Sequence, residues 1–148
     1  MTVETAGTLW CEQLEVDLIS ISPKLAHSTP WAEAAERGQP QLAQRHERAR
    51  LDLEVLRRLI QSFAWQLKFV VRTHDDAVLA ADLAEIEALL VELAIPDQQR
   101  YRVLLMPEGT DAESLRAGYR RLFDTCMQTG MRVGLRLHIE LFGHTPGS

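Results

Sequence analysis

VDLISISPKLAHSTP, residues 16–30, is the most informative stretch of this 148-residue chain. Its first half is rich in β-forming residues up to Ile21, which is typical of a buried strand. The strand then stops at Ser22, Pro23 and Lys24, which supply a hydroxyl, a rigid ring and a single cation. Because α/β folds carry their chemistry at the carboxyl ends of parallel strands, we expect these residues at a functional edge. A plain strand exit with a solvated lysine is the alternative.

Four other segments have the composition of strands, and helical segments separate most of them. The five predicted strands run over 2–7, 16–22, 65–71, 101–107 and 132–141. Helical segments are recognised by an apolar residue at every third or fourth position. Strands that alternate with helices predict an α/β protein in one domain, with a mostly parallel sheet and right-handed crossovers.

Three amphipathic helices are predicted. The second begins at a capping box of Thr73 and Asp76, and the third at one of Thr110 and Glu113. Residues 28–41 contain two prolines and one glycine, so we predict a loop insertion that could include one helical turn. The first helix covers about 42–63, and its outer faces carry arginines that we expect to be solvated: Arg45, Arg48, Arg50, Arg57 and Arg58.

Composition and charge exclude several classes of protein. The chain is 46% hydrophobic and 25% charged, and its net charge of -5 argues against a general nucleic-acid or anionic-membrane surface. No apolar run approaches the roughly 18 to 20 residues of a membrane span, and the N-terminus lacks the features of a signal peptide. Two cysteines do not form a disulfide framework. We therefore expect a reduced, cytoplasmic protein.

Five short strings follow one another along the chain: ETAGT (4–8), DLISISPKLAHSTP (17–30), KFVV (68–71), LLMPEGT (104–110) and RLHIELFG (136–143). In this order and spacing they resemble 7-carboxy-7-deazaguanine synthase. That family consists of radical S-adenosylmethionine enzymes of the queuosine (7-deazapurine) pathway, which serves tRNA modification. The likeness runs from Val3 to the C-terminus and corresponds to the C-terminal two thirds of the family's chain.

The resemblance implies a fold and a reaction. The fold is a partial, modified (β/α) TIM-like barrel, here without its N-terminal strands, with S-adenosylmethionine across the strand ends. The reaction is that of a carbon–nitrogen lyase. A 5′-deoxyadenosyl radical takes hydrogen from 6-carboxy-5,6,7,8-tetrahydropterin, the ring contracts, and ammonia leaves.

The resemblance also implies site residues. Substrate contacts fall on Thr5 and on the C-terminal carboxylate of Ser148. His138 alternates with Glu140 along a predicted strand, so we add His138 as a residue that faces the substrate cavity. S-adenosylmethionine contacts fall on Gly7, on Ser22, Pro23 and Lys24 at the methionyl part, and on Met106, Pro107, Glu108 and Gly109 at the adenosyl part. Each set has a plain explanation as a turn, a strand exit or a helix cap, and His138 as a core residue.

One part of the family pattern does not occur in this chain. The resemblance implies a 4Fe–4S cluster on three cysteines and a magnesium ion beside it, but the sequence contains only Cys11 and Cys126. We therefore expect neither a catalytic residue nor a metal ligand here. Met1 stands where the family-like reading has valine, so we expect either a start at an internal GTG codon or a gene that has lost its 5′ portion.

Two other functional readings stay open. The first is a catalytically inactive, truncated remnant that acts as a binding or interaction module. The second is a generic α/β protein whose strings are coincidental, which would not respond to S-adenosylmethionine. For the synthase reading we expect a small pterin as the ligand and neither nucleic acid nor membrane as a partner, with a homodimer as an open option.

Overall fold

The computed structural model describes residues 1–137 and Ile139, and it contains one sheet of five strands. The strands are β1 (Thr2–Thr5), β2 (Leu18–Ile21), β3 (Trp65–Val71), β4 (Val103–Pro107) and β5 (Arg132–Val133). They lie in the order β1-β2-β3-β4-β5, and the pairs β1–β2, β2–β3 and β4–β5 are parallel. The predicted α/β class and the predicted parallel sheet are confirmed.

Five α-helices and two short 3₁₀ helices connect these strands in the described part of the chain. The α-helices are α1 (Trp31–Glu36), α2 (Pro40–Ala49), α3 (Leu53–Ser62), α4 (Asp76–Glu92) and α5 (Ala112–Thr129). The 3₁₀ helices cover Ala26–Ser28 and Asp97–Arg102. Within the described residues, no helix has both the length and the apolar composition needed to cross a membrane.

The chain divides into two compact units, and the first is Met1–Leu67. In this unit Ile19 and Ile21 of β2 lie opposite Trp65 and Leu67 of β3, and all four are buried. Leu56 and Leu59, on one face of α3, are buried as well. The spacing of the two leucines by three residues follows the helical period, so α3 covers this core with a single apolar stripe.

The second unit begins at Lys68. Its buried residues come from alternate positions of the strands and from one stripe each of α4 and α5. They include Phe69, Val71, Leu79, Ile86, Leu90, Val103, Leu105, Leu115 and Leu122. The other positions of β3 and β4 are only half-buried. Each strand therefore buries one face and leaves the other partly open, whereas strands covered on both faces are hydrophobic throughout.

The predicted helix over 42–63 is wrong in one respect, because two helices occupy this range. Arg50 ends α2, and Asp52 begins α3 in an extended conformation with φ −124°. The Asp52 carboxylate accepts a hydrogen bond from the Val55 amide at 3.0 Å. This local bond offers the backbone an alternative to continuing the helix, so the chain breaks at the aspartate.

The predicted loop over 28–41 is also partly wrong, because it contains α1 and the start of α2. Pro40 is the first residue of α2. Its fixed φ suits the first helical position, and its missing N–H is not needed there. A proline that reads as a breaker in the sequence is therefore a helix start in the structure. The expectation of a single domain stays a prediction.

The last predicted strand, 132–141, is shorter in the structure. Only Arg132 and Val133 belong to β5, and the residues up to Arg136 have no regular structure. The amide of Arg136 donates to the Tyr119 hydroxyl at 2.8 Å, which removes it from any strand ladder. Leu137 and Ile139 are helical, and the rest of the range lies outside the described residues.

Candidate functional site

A cleft of about 510 Å³ lies in the second unit, where β3 and β4 end. It is lined by residues that follow β3, by residues that follow β4, and by the first turns of α5. These residues are Thr73, His74, Glu108, Gly109, Thr110, Asp111, Ser114, Ala117, Gly118 and Arg121. The volume falls within the range of small-molecule sites, and the lining is rich in hydroxyl and charged groups.

Close packing of α5 against the end of β4 shapes this cleft. The Glu108 amide donates to the Val71 carbonyl at 2.8 Å, which continues the strand pairing past Pro107. A Cβ atom on Gly118 would lie 2.4 Å from Pro107 Cβ and 2.8 Å from Thr73 Oγ1. Only glycine therefore lets the helix approach this closely. Gly118 is not among the site residues predicted from the sequence, although a glycine inside a predicted helix is a signal of close approach.

The charged groups of the cleft are held by specific hydrogen bonds. Arg121 donates through Nη1 to the Thr73 carbonyl at 2.7 Å, and the same nitrogen lies 3.3 Å from an Asp76 carboxylate oxygen. Asp111 caps α5 and accepts from the Ser114 amide at 2.9 Å and from the Ser114 hydroxyl at 2.6 Å. These bonds hold the pKa of Asp111 below its usual range, with the Ser114 hydroxyl as the largest cause. The Asp111 carboxylate is therefore ionised at neutral pH.

Both predicted capping boxes are wrong about the cap residue. Asp75, not Thr73, begins α4, and its carboxylate accepts from the Val78 amide at 3.0 Å. Asp111, not Thr110, begins α5. Thr73 is buried beside Gly118 and Thr110 lines the cleft, so both threonines belong to the site rather than to the helix starts.

The predicted adenosyl-binding residues divide into two pairs. Glu108 and Gly109 line the cleft, while Met106 and Pro107 do not. Pro107 is buried under α5, and Met106 packs at Gly134, where a Cβ atom would lie 2.7 Å from Met106 Cγ. Met106 and Pro107 therefore fix the turn that presents Glu108 and Gly109.

Arg136 contacts the turn that contains Glu108 and Gly109. Its Nη1 donates to the Gly109 carbonyl at 3.0 Å. Because a guanidinium donates in a fixed plane, this bond fixes the orientation of the Gly109 peptide. Arg136 is not among the site residues predicted from the sequence.

The first unit brings three other predicted site residues together at the ends of β1 and β2. The Ser22 amide donates to the Thr5 carbonyl at 2.8 Å, and the Thr5 hydroxyl accepts from the Gly7 amide at 3.1 Å. Gly7 has φ +77°, and a Cβ atom there would lie 2.4 Å from Leu56 Cδ2. The packing of α3 and the left-handed backbone are thus sufficient to require glycine, independently of any ligand.

Ser22, Pro23 and Lys24 form the SPK turn, and its last two residues differ in exposure. Pro23 is buried and the Lys24 side chain is exposed. The Lys24 carbonyl accepts from Nη1 of Arg50 at 2.8 Å. The expectation of a solvated arginine face is therefore wrong at Arg50, whose side chain is only 13% exposed. Arg50 also donates through Nε to Glu47 at 2.8 Å.

Glu47 gives this part of the first unit a pH dependence. The Thr29 hydroxyl, and secondarily Arg50, hold the pKa of Glu47 below its ordinary value of 4.5. A lowered folded-state pKa contributes stability above the unfolded-state pKa, and this contribution is lost as the pH falls through the folded-state value.

Replacing Glu47 by glutamine is therefore expected to lower the free energy of unfolding by about 1 kcal/mol at neutral pH. The difference between wild type and variant should shrink as the pH falls from about 5 to about 3. Urea unfolding at several pH values measures this difference. An equal loss at every pH would contradict the assignment of the effect to the Glu47 carboxylate.

The residues present do not fit an iron–sulfur cluster. Cys11 is exposed and Cys126 is buried in α5, where burial raises the pKa of the Cys126 thiol to about 11. A cluster needs three thiolates, and the sequence has two cysteines. Among the residues described by the structure, no three His, Cys, Asp or Glu side chains are grouped as a metal site. His138 and Ser148 lie outside the described residues.

Comparison with known proteins confirms the resemblance. A 7-carboxy-7-deazaguanine synthase of Halobacterium salinarum is 39% identical over 148 residues, which cover 98% of this chain and 55% of the relative. One of Rhodopirellula baltica is 36% identical over 149 residues, which cover 100% and 52%. One of Pyrobaculum aerophilum is 38% identical over 84 residues, or 57% and 33%.

The chain therefore spans about half the length of the two relatives that it matches throughout, a smaller share than two thirds. Neither a protein-family model nor a solved structure matches the chain.

Proposed function

Because the chain is similar over its whole length to about half of each of two 7-carboxy-7-deazaguanine synthases, we propose that it supplies strand ends that bind S-adenosylmethionine and substrate in an enzyme of this kind. The reaction would be the ring contraction of 6-carboxy-5,6,7,8-tetrahydropterin with loss of ammonia. The observation that carries the proposal is the cleft at the ends of β3 and β4. Its lining contains Glu108 and Gly109, to which the resemblance assigns the adenosyl contact.

The chemistry of the cleft suits S-adenosylmethionine. The ligand combines a cationic sulfonium with an adenosine whose polar edges need donors and acceptors. Glu108 and Asp111 supply negative charge, while Thr110 and Ser114 supply hydroxyls that donate and accept. When bound, S-adenosylmethionine would supply the 5′-deoxyadenosyl group that takes hydrogen from the substrate. The residues of this chain would bind and orient it.

The partial, modified (β/α) barrel is part of the proposal. It is supported by the strands of the second unit, which bury one face and leave the other half-buried. A sheet that carries helices on one side and a ligand cavity on the other has this asymmetry. Because the cysteines do not fit a cluster, we assign no step to a cluster on this chain.

The second candidate is a binding module without catalysis, and the observation behind it is a cleft whose described lining contains hydroxyl and charged side chains but no cysteine. Such a module would retain the cleft and bind a nucleoside-containing ligand. Such a module is not expected to bind the pterin. The two candidates therefore differ in their ligands, which makes them separable without measuring turnover.

Titration calorimetry with S-adenosylmethionine, and then with 6-carboxy-5,6,7,8-tetrahydropterin, tests both candidates. Ala117 lines the cleft and is exposed on α5, so Ala117→Trp fills the cleft without entering the core. We expect this variant to weaken S-adenosylmethionine binding by at least about tenfold. Ala88→Trp places the same side chain on an exposed position of α4 outside the cleft and should leave binding unchanged.

Three outcomes separate the possibilities. Binding of both ligands by the wild-type chain supports the synthase proposal, and binding of S-adenosylmethionine alone supports the module. Absence of S-adenosylmethionine binding, or equal loss in both tryptophan variants, would overturn the assignment of the cleft.

A further inference from the structure

We propose that Arg50 is a positioning residue that fixes the peptide of Lys24 at the end of β2, and that Thr29 and Glu47 hold Arg50 in place. This inference rests on the proposed function and on the resemblance, which assigns the methionyl part of S-adenosylmethionine to Ser22, Pro23 and Lys24. It gives a role to two features that the proposed function does not use. These features are the STP string (28–30) and the arginine-rich helix α2 that follows it.

The contact between Arg50 and Lys24 joins residues that are far apart in the sequence. Arg50 Nη1 donates to the Lys24 carbonyl at 2.8 Å across 26 residues. Lys24 follows β2 through Ser22 and Pro23. The described pairing of β1 with β2 ends before it, at Ile21 and at the Ser22 amide, which donates to the Thr5 carbonyl. Arg50 thus supplies an external contact where the strand ladder has ended.

A chain of hydrogen bonds in turn fixes the guanidinium of Arg50. Its Nε donates to one carboxylate oxygen of Glu47 at 2.8 Å, and the Thr29 hydroxyl donates to the other oxygen at 2.6 Å. Thr29 is 5% exposed, so this chain of hydrogen bonds ends in the core of the unit. Because the donors of a guanidinium lie in one plane, fixing Nε on Glu47 also fixes the direction in which Nη1 points.

The same contacts fix the direction of the hydrogen bond between Thr29 and His46. A threonine hydroxyl has one proton, and the Thr29 proton is used toward Glu47. His46 Nδ1 lies 3.0 Å from the Thr29 oxygen, so the ring must donate there. The Thr29 oxygen is therefore held from two consecutive residues of α2, His46 and Glu47. Both bonds connect the segment after β2 to the helix that carries Arg50.

This arrangement has the features of a positioning device rather than of a surface ion pair. The Lys24 side chain is exposed and available to a ligand, while the Lys24 carbonyl accepts a hydrogen bond from Arg50. Surface ion pairs contribute little to stability, but Arg50 is largely buried and each of its described bonds has good geometry. These contacts therefore orient the SPK turn.

The experiment compares two ligands in the full chain. S-adenosylmethionine contains the methionyl part, and 5′-deoxyadenosine does not. We expect Arg50→Gln to weaken S-adenosylmethionine binding by about tenfold and to leave 5′-deoxyadenosine binding unchanged. Arg48→Gln removes an exposed arginine of the same helix and should change neither affinity. Thr29→Val removes the hydrogen bond that holds Glu47, so it should weaken S-adenosylmethionine binding in the same selective way.

An equal loss for both ligands would show a general structural effect and overturn the positioning role. If the wild-type chain binds neither ligand, the proposed function fails, and hydrogen exchange still tests the device itself. The Ser28 and Thr29 amides donate to Leu25 and Ala26 in the turn after Lys24. Their exchange should accelerate in Arg50→Gln and not in Arg48→Gln, and unchanged exchange would also overturn the proposal.

Discussion

Replacing Asp82 by asparagine is expected to lower the free energy of unfolding by about 3 to 5 kcal/mol, the largest stability effect of any substitution considered. Asp82 lies on α4 and is 2% exposed. Its carboxylate accepts from the Arg72 amide at 2.8 Å and from the Arg72 guanidinium at 3.2 and 2.6 Å. Asparagine keeps the shape, but it removes the charge and turns an N–H donor toward the donors of Arg72.

The pair matters because Arg72 directly follows β3 and precedes Thr73, which lines the cleft. Hydrogen bonding to Asp82 is the largest cause that raises the pKa of Arg72, so the guanidinium stays charged in every condition of interest. Removing only Asp82 leaves that cation without its buried partner. Removing both charges, in the double variant Arg72→Met with Asp82→Leu, should recover only part of the loss. Apolar replacements of buried pairs are often neutral, but the Arg72 amide also loses its acceptor.

Urea unfolding followed by circular dichroism measures these differences. Asp124→Asn removes an exposed carboxylate from α5 and should change the free energy of unfolding by less than about 0.5 kcal/mol. A loss of less than about 1 kcal/mol in Asp82→Asn would contradict the interpretation of Asp82 as a buried carboxylate that is coupled to the half-buried Arg72.

The presence of five strands was predictable because the strand signal is local, whereas the extent of the last one was not, since β5 ends at Val133. The alternation in WQLKFVV places β3 at the residues that the structure shows, Trp65–Val71. For the helix starts, only the approximate position was predictable, and not the residue that caps the helix. A threonine followed three residues later by an acid occurs at both starts, yet Asp75 and Asp111 are the caps. The choice depends on where the strand exit turns away from the sheet, and no local pattern of residues determines that.

The lining of the cleft was predictable where short strings carry it and not where long-range contacts build it. The LLMPEGT string led to Glu108 and Gly109, which line the cleft. Arg121 reaches Thr73 across 48 residues, and Arg50 reaches Lys24 across 26. In the sequence each arginine belongs to a charged helix face, which is normally solvated. Only the packing of the helices against the strand ends selects which arginine is used.

Gly118→Ala is expected to destabilise the chain by about 1 to 3 kcal/mol through overpacking of α5 against β4. Helix propensity alone predicts the opposite sign, since alanine favours a helix over glycine by about 1 kcal/mol. The packing effect should win because the new Cβ would lie 2.4 Å from Pro107 Cβ. A proline ring cannot rotate away as a flexible side chain can. Relief therefore requires a shift of the helix or of the strand end.

Such a shift would also change the cleft, because Ser114, Ala117 and Arg121 of α5 form one of its walls. Stability and S-adenosylmethionine affinity should therefore fall together in Gly118→Ala. Ala88→Gly measures helix propensity alone at an exposed position of α4 outside the cleft, and it should lose about 1 kcal/mol without a loss of affinity. If Gly118→Ala were instead more stable than wild type, propensity would outweigh packing, and α5 would not need glycine to reach Pro107.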